Sequence, residues 1–325
     1  MVNARKQLDS VAYGLDDAKT KLIEVVGQWI ANPQCTGSSI ALKGPMGTGK
    51  TTLIKEGLSK IIGRPFEFIA LGGSTDGCTL EGHSYTYVGS TWGEIVSILQ
   101  RSKCMNPVIY FDELDKISQS PKGQEIAGIL THLTGTSQNS VFHDKYFSGV
   151  PLDLSRVVFV FSYNDESLVN PILLNRMHKI ETKGYTKKDK AVIATKYMLP
   201  QLYKEFNISK EEVVFEDEAI DYLANVVSGE EKGVRDLKRG LTTCLAKINL
   251  LRLGVPEEQV LIGGKANKKE DKGKAKQEGG DRESSDSAGK SDSETKTKFP
   301  LRVTRKLVSK LARASEGELP FNMYS

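Results

Sequence analysis

The sequence predicts an α/β fold, a parallel sheet covered by helices on both faces, followed by a smaller and mostly helical domain. Three observations predict it. Short apolar runs alternate with amphipathic segments through the first half of the chain. A glycine-rich loop lies between one apolar run and one helix. From Gly184 to Leu253 the apolar spacing is helical almost throughout. Strands separated by helices need crossover connections, and crossovers make parallel sheets.

The elements follow in order. Ala18, Leu22, Val25, Val26 and Trp29 recur at helical spacing over residues 16–31, with Asp16 and Asp17 at the favourable N-terminal end. Residues 38–42 form a short apolar run that stops at Gly44, as a buried strand does. Residues 51–62 read as a helix ended by Gly63, Arg64 and Pro65. Further strands are expected at 66–71, 107–111 and 157–161, and a helix at 126–133. Helices are also expected at 187–205, 218–227 and 234–253. Residues 264–298 hold Lys, Glu, Asp, Ser and Gly with no aromatic or branched aliphatic residue, so burial cannot offset their ordering entropy and disorder is expected. Apolar residues return in 299–325, as a short strand at 301–303 and a helix carrying Leu307, Val308 and Leu311.

Composition excludes several classes. The chain has 325 residues, 38% hydrophobic and 26% charged, as a soluble two-domain protein does. No apolar run approaches the roughly 18 residues of a membrane helix, and residues 1–10 hold no signal-peptide core. Cys35, Cys78, Cys104 and Cys244 are scattered, which argues against a disulfide scaffold or a cysteine zinc site and for a reducing, cytoplasmic setting. His83, His132, His143 and His178 lack metal-ligand spacing. The net charge of +4 is uneven. Residues 1–263 carry 30 basic and 31 acidic side chains, whereas 264–298 carry 10 and 8, and 299–325 carry 5 and 2. The body is near neutral, which offers little to a nucleic acid.

Two motifs carry chemistry. Gly44, Pro45, Met46, Gly47, Thr48, Gly49, Lys50 and Thr51 fit the phosphate-binding P-loop, with a strand before and a helix after. The glycines let backbone N–H groups wrap an anion, and the helix points its positive end at the same place. Lys50 would reach the outer phosphates and the Thr51 hydroxyl would hold Mg²⁺. Met46 stands at a variable position of the loop. Thr52 completes the nucleotide-binding set. The run from Pro107 to Glu113 delivers two adjacent carboxylates at a strand's C-terminal end, where α/β sheets bind ligands. Asp112 would serve the metal and Glu113 would polarise the attacking water. Asp115 and Lys116 read as a partly solvated turn. Together these residues imply an NTPase using ATP and Mg²⁺, without saying what the energy is used for.

With these residues in hand, the chain resembles the AAA+ ATPase module of Lon-type ATP-dependent proteases from about Leu8 to Leu253. The resemblance rests on Tyr13-Gly14-Leu15, Leu71-Gly72-Gly73, Glu81-Gly82-His83, Thr86-Tyr87-Val88-Gly89 and Asp112-Glu113-Leu114-Asp115-Lys116. It continues through Phe142-His143-Asp144-Lys145-Tyr146, Asn164-Asp165, Leu174-Asn175-Arg176-Met177, Gly184-Tyr185-Thr186 and Gly233-Val234-Arg235. It implies a P-loop AAA+ domain over 1–183 and a helical lid over 184–263 that resumes at 299–325. It also implies a hexameric ring of identical copies with ATP held between neighbours. Asn164 matches the sensor-1 residue, Arg176 the arginine finger given to the next subunit, and Arg235 sensor 2. Tyr13 and Gly14 match contacts on the adenine side. Tyr87 and Val88 match the pore loop that grips polypeptide, where an aromatic face gives sequence-tolerant contact. Trp92, just after, reads as core.

The chain departs from the family pattern at both ends. Only about seven residues precede the match, and the chain stops where the Ser–Lys peptidase domain would begin. Ser287-Ala288-Gly289 echoes that domain's nucleophile loop only superficially, inside the charged stretch. The expectation is therefore a motor acting on unfolded or misfolded polypeptide without peptidase activity of its own. The competing readings are the ATPase part of a larger protease, a partner of a separate peptidase subunit, and a nucleic-acid-associated ATPase.

Overall fold

A computed structural model describes residues 2–32, 37–74, 76–227, 229, 231–255, 260 and 300–313. The chain divides into two compact units, one of residues 1–193 with 230–235, the other of 194–229 with 236–325. The charged stretch 264–298 and its serines lie outside the described residues.

The first unit is built on five parallel strands, β1 (Ser39–Lys43), β2 (Phe66–Ala70), β3 (Val108–Asp112), β6 (Val158–Tyr163) and β7 (His178–Glu181), in the order β2-β3-β6-β1-β7. A two-stranded antiparallel hairpin, β4 (Phe142–His143) with β5 (Pro151–Leu152), precedes β6. Side chains of a strand alternate between faces, and the sheet uses this fully. Ile40, Leu42, Val108, Tyr110, Val158 and Val160 pack on one face against Leu8, Leu22, Leu53, Ile54 and Leu58. Those five come from α1 (Val2–Val11), α2 (Asp16–Ala31) and α3 (residues 50–62, π-helical over Leu53–Leu58). Ala41, Ile109, Phe111, Phe159 and Phe161 fill the other face against Leu80, Ile95, Ile98, Ile126 and Leu130. These come from α4 (Cys78–Glu81), α5 (Glu94–Ser102) and α6 (Pro121–Thr134). The start of α6 is set by its sequence. Ser120 accepts from the Gly123 N–H and Pro121 occupies the first turn, where no backbone donor is needed.

The expected α/β class and parallel sheet are present. Among the elements beyond the expected set are β7, α5 and α1. In β7 only Ile180 is buried, and four residues are too few to show a period. In α5, Ile95, Val96 and Ile98 are buried together. In α1 a single side chain, Leu8, reaches the core.

The second unit holds α9 (Leu199–Glu205), β8 (Val213–Phe215), α10 (Asp217–Tyr222), most of α11 (Arg235–Arg252), β9 (Leu301–Val303) and α12 (Arg305–Arg313); α7 (Pro171–Leu174) and α8 (Lys187–Ile193) belong to the first. Strand β9 pairs in parallel with β8, Val213 opposite Leu301 and Phe215 opposite Val303. Leu237, Leu241, Leu245 and Ile248 of α11 are buried, as are Val303, Val308 and Leu311. The Lys247 ammonium donates to the Leu311 carbonyl at 2.7 Å. Among the described residues no helix is long and apolar enough to cross a membrane.

Candidate functional site

The phosphate loop follows β1 and opens α3. No carbonyl accepts, in ordinary geometry, from the N–H groups of Met46, Gly47 or Gly49 among the described residues. Donors left without internal partners around a helix start suit an anion. Lys50 is buried, and its ammonium donates to the carbonyls of Gly44 and of Pro45 (3.0 Å) and to Asn164 Oδ1 (3.2 Å). Burial lowers its pKa, opposed by the nearby charges of Asp112 and Asp115. Met46 is exposed.

Strand parity brings the remaining groups to the same face. Even-numbered residues of β3 and β6 point toward α3, so Tyr110, Asp112 and Ser162 continue the rows begun by Val108 and Val160. The Thr51 hydroxyl donates to the Tyr110 hydroxyl at 3.2 Å. The Ser162 hydroxyl donates to Asp112 Oδ1. Burial pushes the Tyr110 hydroxyl up to about 12, so it stays protonated. Thr51 and Asp112 are thus each held by a neutral hydroxyl, that of Tyr110 and that of Ser162.

Glu113 has left-handed backbone, φ 59° and ψ 47°. A glutamate held there is strained, which is tolerated mainly where position matters. Its carboxylate lies where a side chain on residue 72 would go, since a Cβ on Gly72 would come within 2.0 Å of Glu113 Oε2. A side chain on residue 72 would therefore displace the Glu113 carboxylate from this position.

Asp115 overturns the reading of a solvated turn. It is only 5% exposed. Its Oδ2 accepts from the backbone N–H groups of Asn164 and Asp165, both at 3.2 Å, while Oδ1 is buried with no hydrogen-bond partner. One buried carboxylate thus ties the turn carrying Glu113 to the backbone of Asn164. Residue type alone gave no sign of this, because the partners lie 49 and 50 residues away.

The other expected residues fall in two groups. Tyr13 and Gly14 line a cleft of about 540 Å³ with Leu15, Asp16, Tyr185 and Asp189. The Tyr185 hydroxyl donates to the carbonyls of Thr48 (2.9 Å) and Tyr13 (3.3 Å), so this cleft adjoins the phosphate loop. Val234 donates to the Gly47 carbonyl at 3.0 Å, which sets Arg235 beside the loop. Thr52 follows Thr51 in the first turn of α3. Arg176 is not brought to this cluster. Its guanidinium is exposed and donates to the Thr131 carbonyl (2.7 Å) and Gln138 Oε1 (3.4 Å), at the C-terminal end of α6. Tyr87 and Val88 project from the loop between α4 and α5, 70% and 107% exposed. Trp92 corrects the core reading. It is 39% exposed and packs on Tyr146 and Phe147 of the hairpin, ring centroids 5.8 and 6.0 Å away. No cluster of three metal-ligating side chains exists among the described residues.

Comparison with known proteins agrees with this architecture. Residues 40–185 match the AAA family, the ATPase family associated with various cellular activities. A Lon protease homolog of Acanthamoeba polyphaga mimivirus is 38% identical over 251 residues, 77% of this chain and 24% of that protein. A mitochondrial Lon protease homolog of Yarrowia lipolytica is 36% identical over 245 residues, 75% of this chain and 21% of that one. The Lon protease of Chlamydia trachomatis is 36% identical over 247 residues, 76% and 30%. The chain spans about a quarter of the length of these relatives. With its P-loop, its acidic strand end and these relatives taken together, the chain carries an AAA ATPase module of Lon type.

Proposed function

We propose that this chain is an ATP-hydrolysing motor that grips and pulls unfolded polypeptide, working as a hexameric ring. The observation that supports it best is the pairing of a side-chain-locked nucleotide cluster with a separate loop presenting an exposed aromatic–aliphatic pair, Tyr87 and Val88. ATP fits the residues present, with unpartnered N–H donors, a buried ammonium and an adjoining cleft for the base lined by Tyr13 and Gly14. Thr51 and Asp112, hydroxyl and carboxylate, form a hard-oxygen pair of the type that holds Mg²⁺. When bound, the ion would neutralise charge on the phosphates.

In this reading Glu113 takes the proton of the water that attacks the γ-phosphorus, and the ADP oxygen leaves with the electron pair of the broken bond. Lys50 balances charge on the outer phosphates, and Asn164, fixed by Asp115, orients the water. Arg176 reaches the nucleotide of the neighbouring copy, and Arg235 reports its presence to the helical lid. The division into a nucleotide domain over 1–183 and a lid over 184–263 and 299–325 is part of the same proposal.

A second reading is favoured by the length comparison. The chain would be the ATPase part of a larger or two-component ATP-dependent protease, with peptide cleavage supplied elsewhere. The test is an ATPase assay of the purified protein with and without unfolded protein, alongside electron microscopy with a non-hydrolysable nucleotide. Rings and polypeptide-stimulated turnover are expected, with Tyr87→Ala keeping basal turnover and losing the stimulation. Persistent stimulation in Tyr87→Ala would remove that loop from the mechanism.

A further inference from the structure

The loop that presents Tyr87 and Val88 has an unusual base. Its two stems meet backbone to backbone. A Cβ on Gly93 would lie 2.1 Å from the Leu80 carbonyl oxygen and 2.6 Å from the Gly82 nitrogen, so neither stem has room for a side chain. The His83 N–H donates to the Thr91 carbonyl at 3.0 Å and closes the loop above that contact. These contacts close the loop but do not by themselves orient its tip on the domain.

The β4–β5 hairpin supplies that restraint through two consecutive residues. Asp144 is completely buried, yet no cation pairs with it among the described residues. Its carboxylate instead accepts three backbone N–H groups. Oδ1 takes those of Tyr146 (2.9 Å) and Phe147 (3.3 Å), a local turn contact, and Oδ2 takes that of Gly93 (2.8 Å), 51 residues upstream. Lys145 holds the other stem. Its N–H donates to the Glu81 carbonyl at 2.7 Å, and its ammonium pairs with Glu81 (3.5 Å) and with Glu125 of α6 (3.2 Å). Trp92, the last loop residue, packs against Tyr146 edge-on and Phe147 face-on. Burying a carboxylate is costly unless hydrogen bonds compensate it, so the side chain is retained here as a link between loop and hairpin. The hairpin leads directly into β6, whose end carries Ser162 and, beyond it, Asn164.

We propose that the β4–β5 hairpin is the mount of the Tyr87 loop and that Asp144 is the positioning residue that sets where Tyr87 and Val88 meet a polypeptide. This rests on the motor reading above. Asp144 touches neither nucleotide nor polypeptide; it acts through Gly93.

Asp144→Asn separates the two jobs of the carboxylate. The amide oxygen can keep the local turn to Tyr146 and Phe147, whereas the amide nitrogen would face the Gly93 N–H donor to donor. The variant is assayed for basal ATPase, ATP KM, unfolded-protein stimulation, thermal melting and hydrogen exchange of residues 83–93, with Tyr87→Ala in parallel. The expected result is unchanged basal turnover and KM, faster exchange in the loop, and stimulation reduced by about tenfold, the factor one buried hydrogen bond sets. Trp92→Ala, which removes only ring packing, should reduce stimulation in the same direction, and it carries the test if Asp144→Asn does not fold. If Tyr87→Ala abolishes stimulation while the folded Asp144→Asn and Trp92→Ala proteins retain it, the mount is overturned and the motor reading stands. If Tyr87→Ala itself retains stimulation, the motor reading falls first. Equal loss of basal and stimulated turnover in both Asp144→Asn and Trp92→Ala would show a merely structural role and overturn the proposal.

Discussion

At the carboxyl end of the sheet, Lys50, Asn164, Asp115, Asp112, Ser162, Tyr110 and Thr51 are each held by another named group. At the loop between α4 and α5 the long-range restraint is at the base; the tip holds local turn bonds, Tyr87 N–H to the Ser84 carbonyl (3.1 Å) and Ser90 N–H to the Tyr87 carbonyl (3.2 Å), and its Tyr87 and Val88 side chains face solvent. In the proposed motor reading, the contrast separates two kinds of work. Bond-breaking needs charge fixed to within a fraction of an ångström, so its side chains are cross-linked. Gripping many different sequences needs apolar surface that is presented firmly but not shaped to one partner. One region holds its side chains by partners from distant elements, the other is tied to distant elements only at its stem.

This contrast can be broken in four places, and the largest effect is expected at Arg176. Arg176→Ala should lower turnover by about 10³–10⁵-fold while ATP binding persists. Mixing it with Lys50→Ala protein should restore activity, because some sites would then combine an intact loop with a neighbour's intact arginine. No recovery on mixing would return Arg176 to the role of an intrachain clamp on α6. Next, Glu113→Gln should bind ATP and turn over about 10²–10⁴-fold more slowly, the range for loss of a general base; single-turnover kinetics separate the two steps. Lys50→Ala should weaken nucleotide affinity by about 10–100-fold, as loss of a charge-assisted contact does. Isothermal titration at fixed Mg²⁺ checks it. The smallest effect sharpens the comparison at Asp115. Asp115→Ala leaves two backbone donors unpaired and should cost about 1–3 kcal/mol in denaturant unfolding, whereas Asp115→Asn keeps an acceptor and should stay close to the parent.

The nucleotide end was largely legible in the sequence because its motifs sit at element boundaries. A glycine loop must follow a strand and open a helix, and Asp112 and Glu113 must end a strand, so spacing and periodicity together locate them. What periodicity does not carry is which polar group meets which across the sheet. Thr51 and Tyr110 are 59 residues apart, Asp112 and Ser162 are 50, and Asp115 and Asn164 are 49. Tyr110 reads as an ordinary strand residue, Ser162 falls just past the expected strand, and Asp115 reads as part of a solvated turn, because only the paired strands bring their partners within reach. Trp92 shows the opposite failure. A tryptophan near a buried helix suggests interior, but its ring is used to seat a loop on a hairpin at the surface. The strand β7 and the helix α1 were missed for a simpler reason, since each sends one apolar side chain inward.

That single side chain in α1 has a wider consequence. Leu8 lies so close to α3 that a Cβ on Gly57 would come within 2.8 Å of it, and the ammonium of Lys19 is sealed between Asp9 (2.8 Å) and the Ala12 carbonyl (2.7 Å). The N-terminal segment is thereby a keystone of the wall that backs the phosphate helix. Trimming the chain to Tyr13 would open a void behind that helix and leave Lys19 facing it with neither counter-charge nor carbonyl, so the reach of the nucleotide domain extends well upstream of its first recognisable motif.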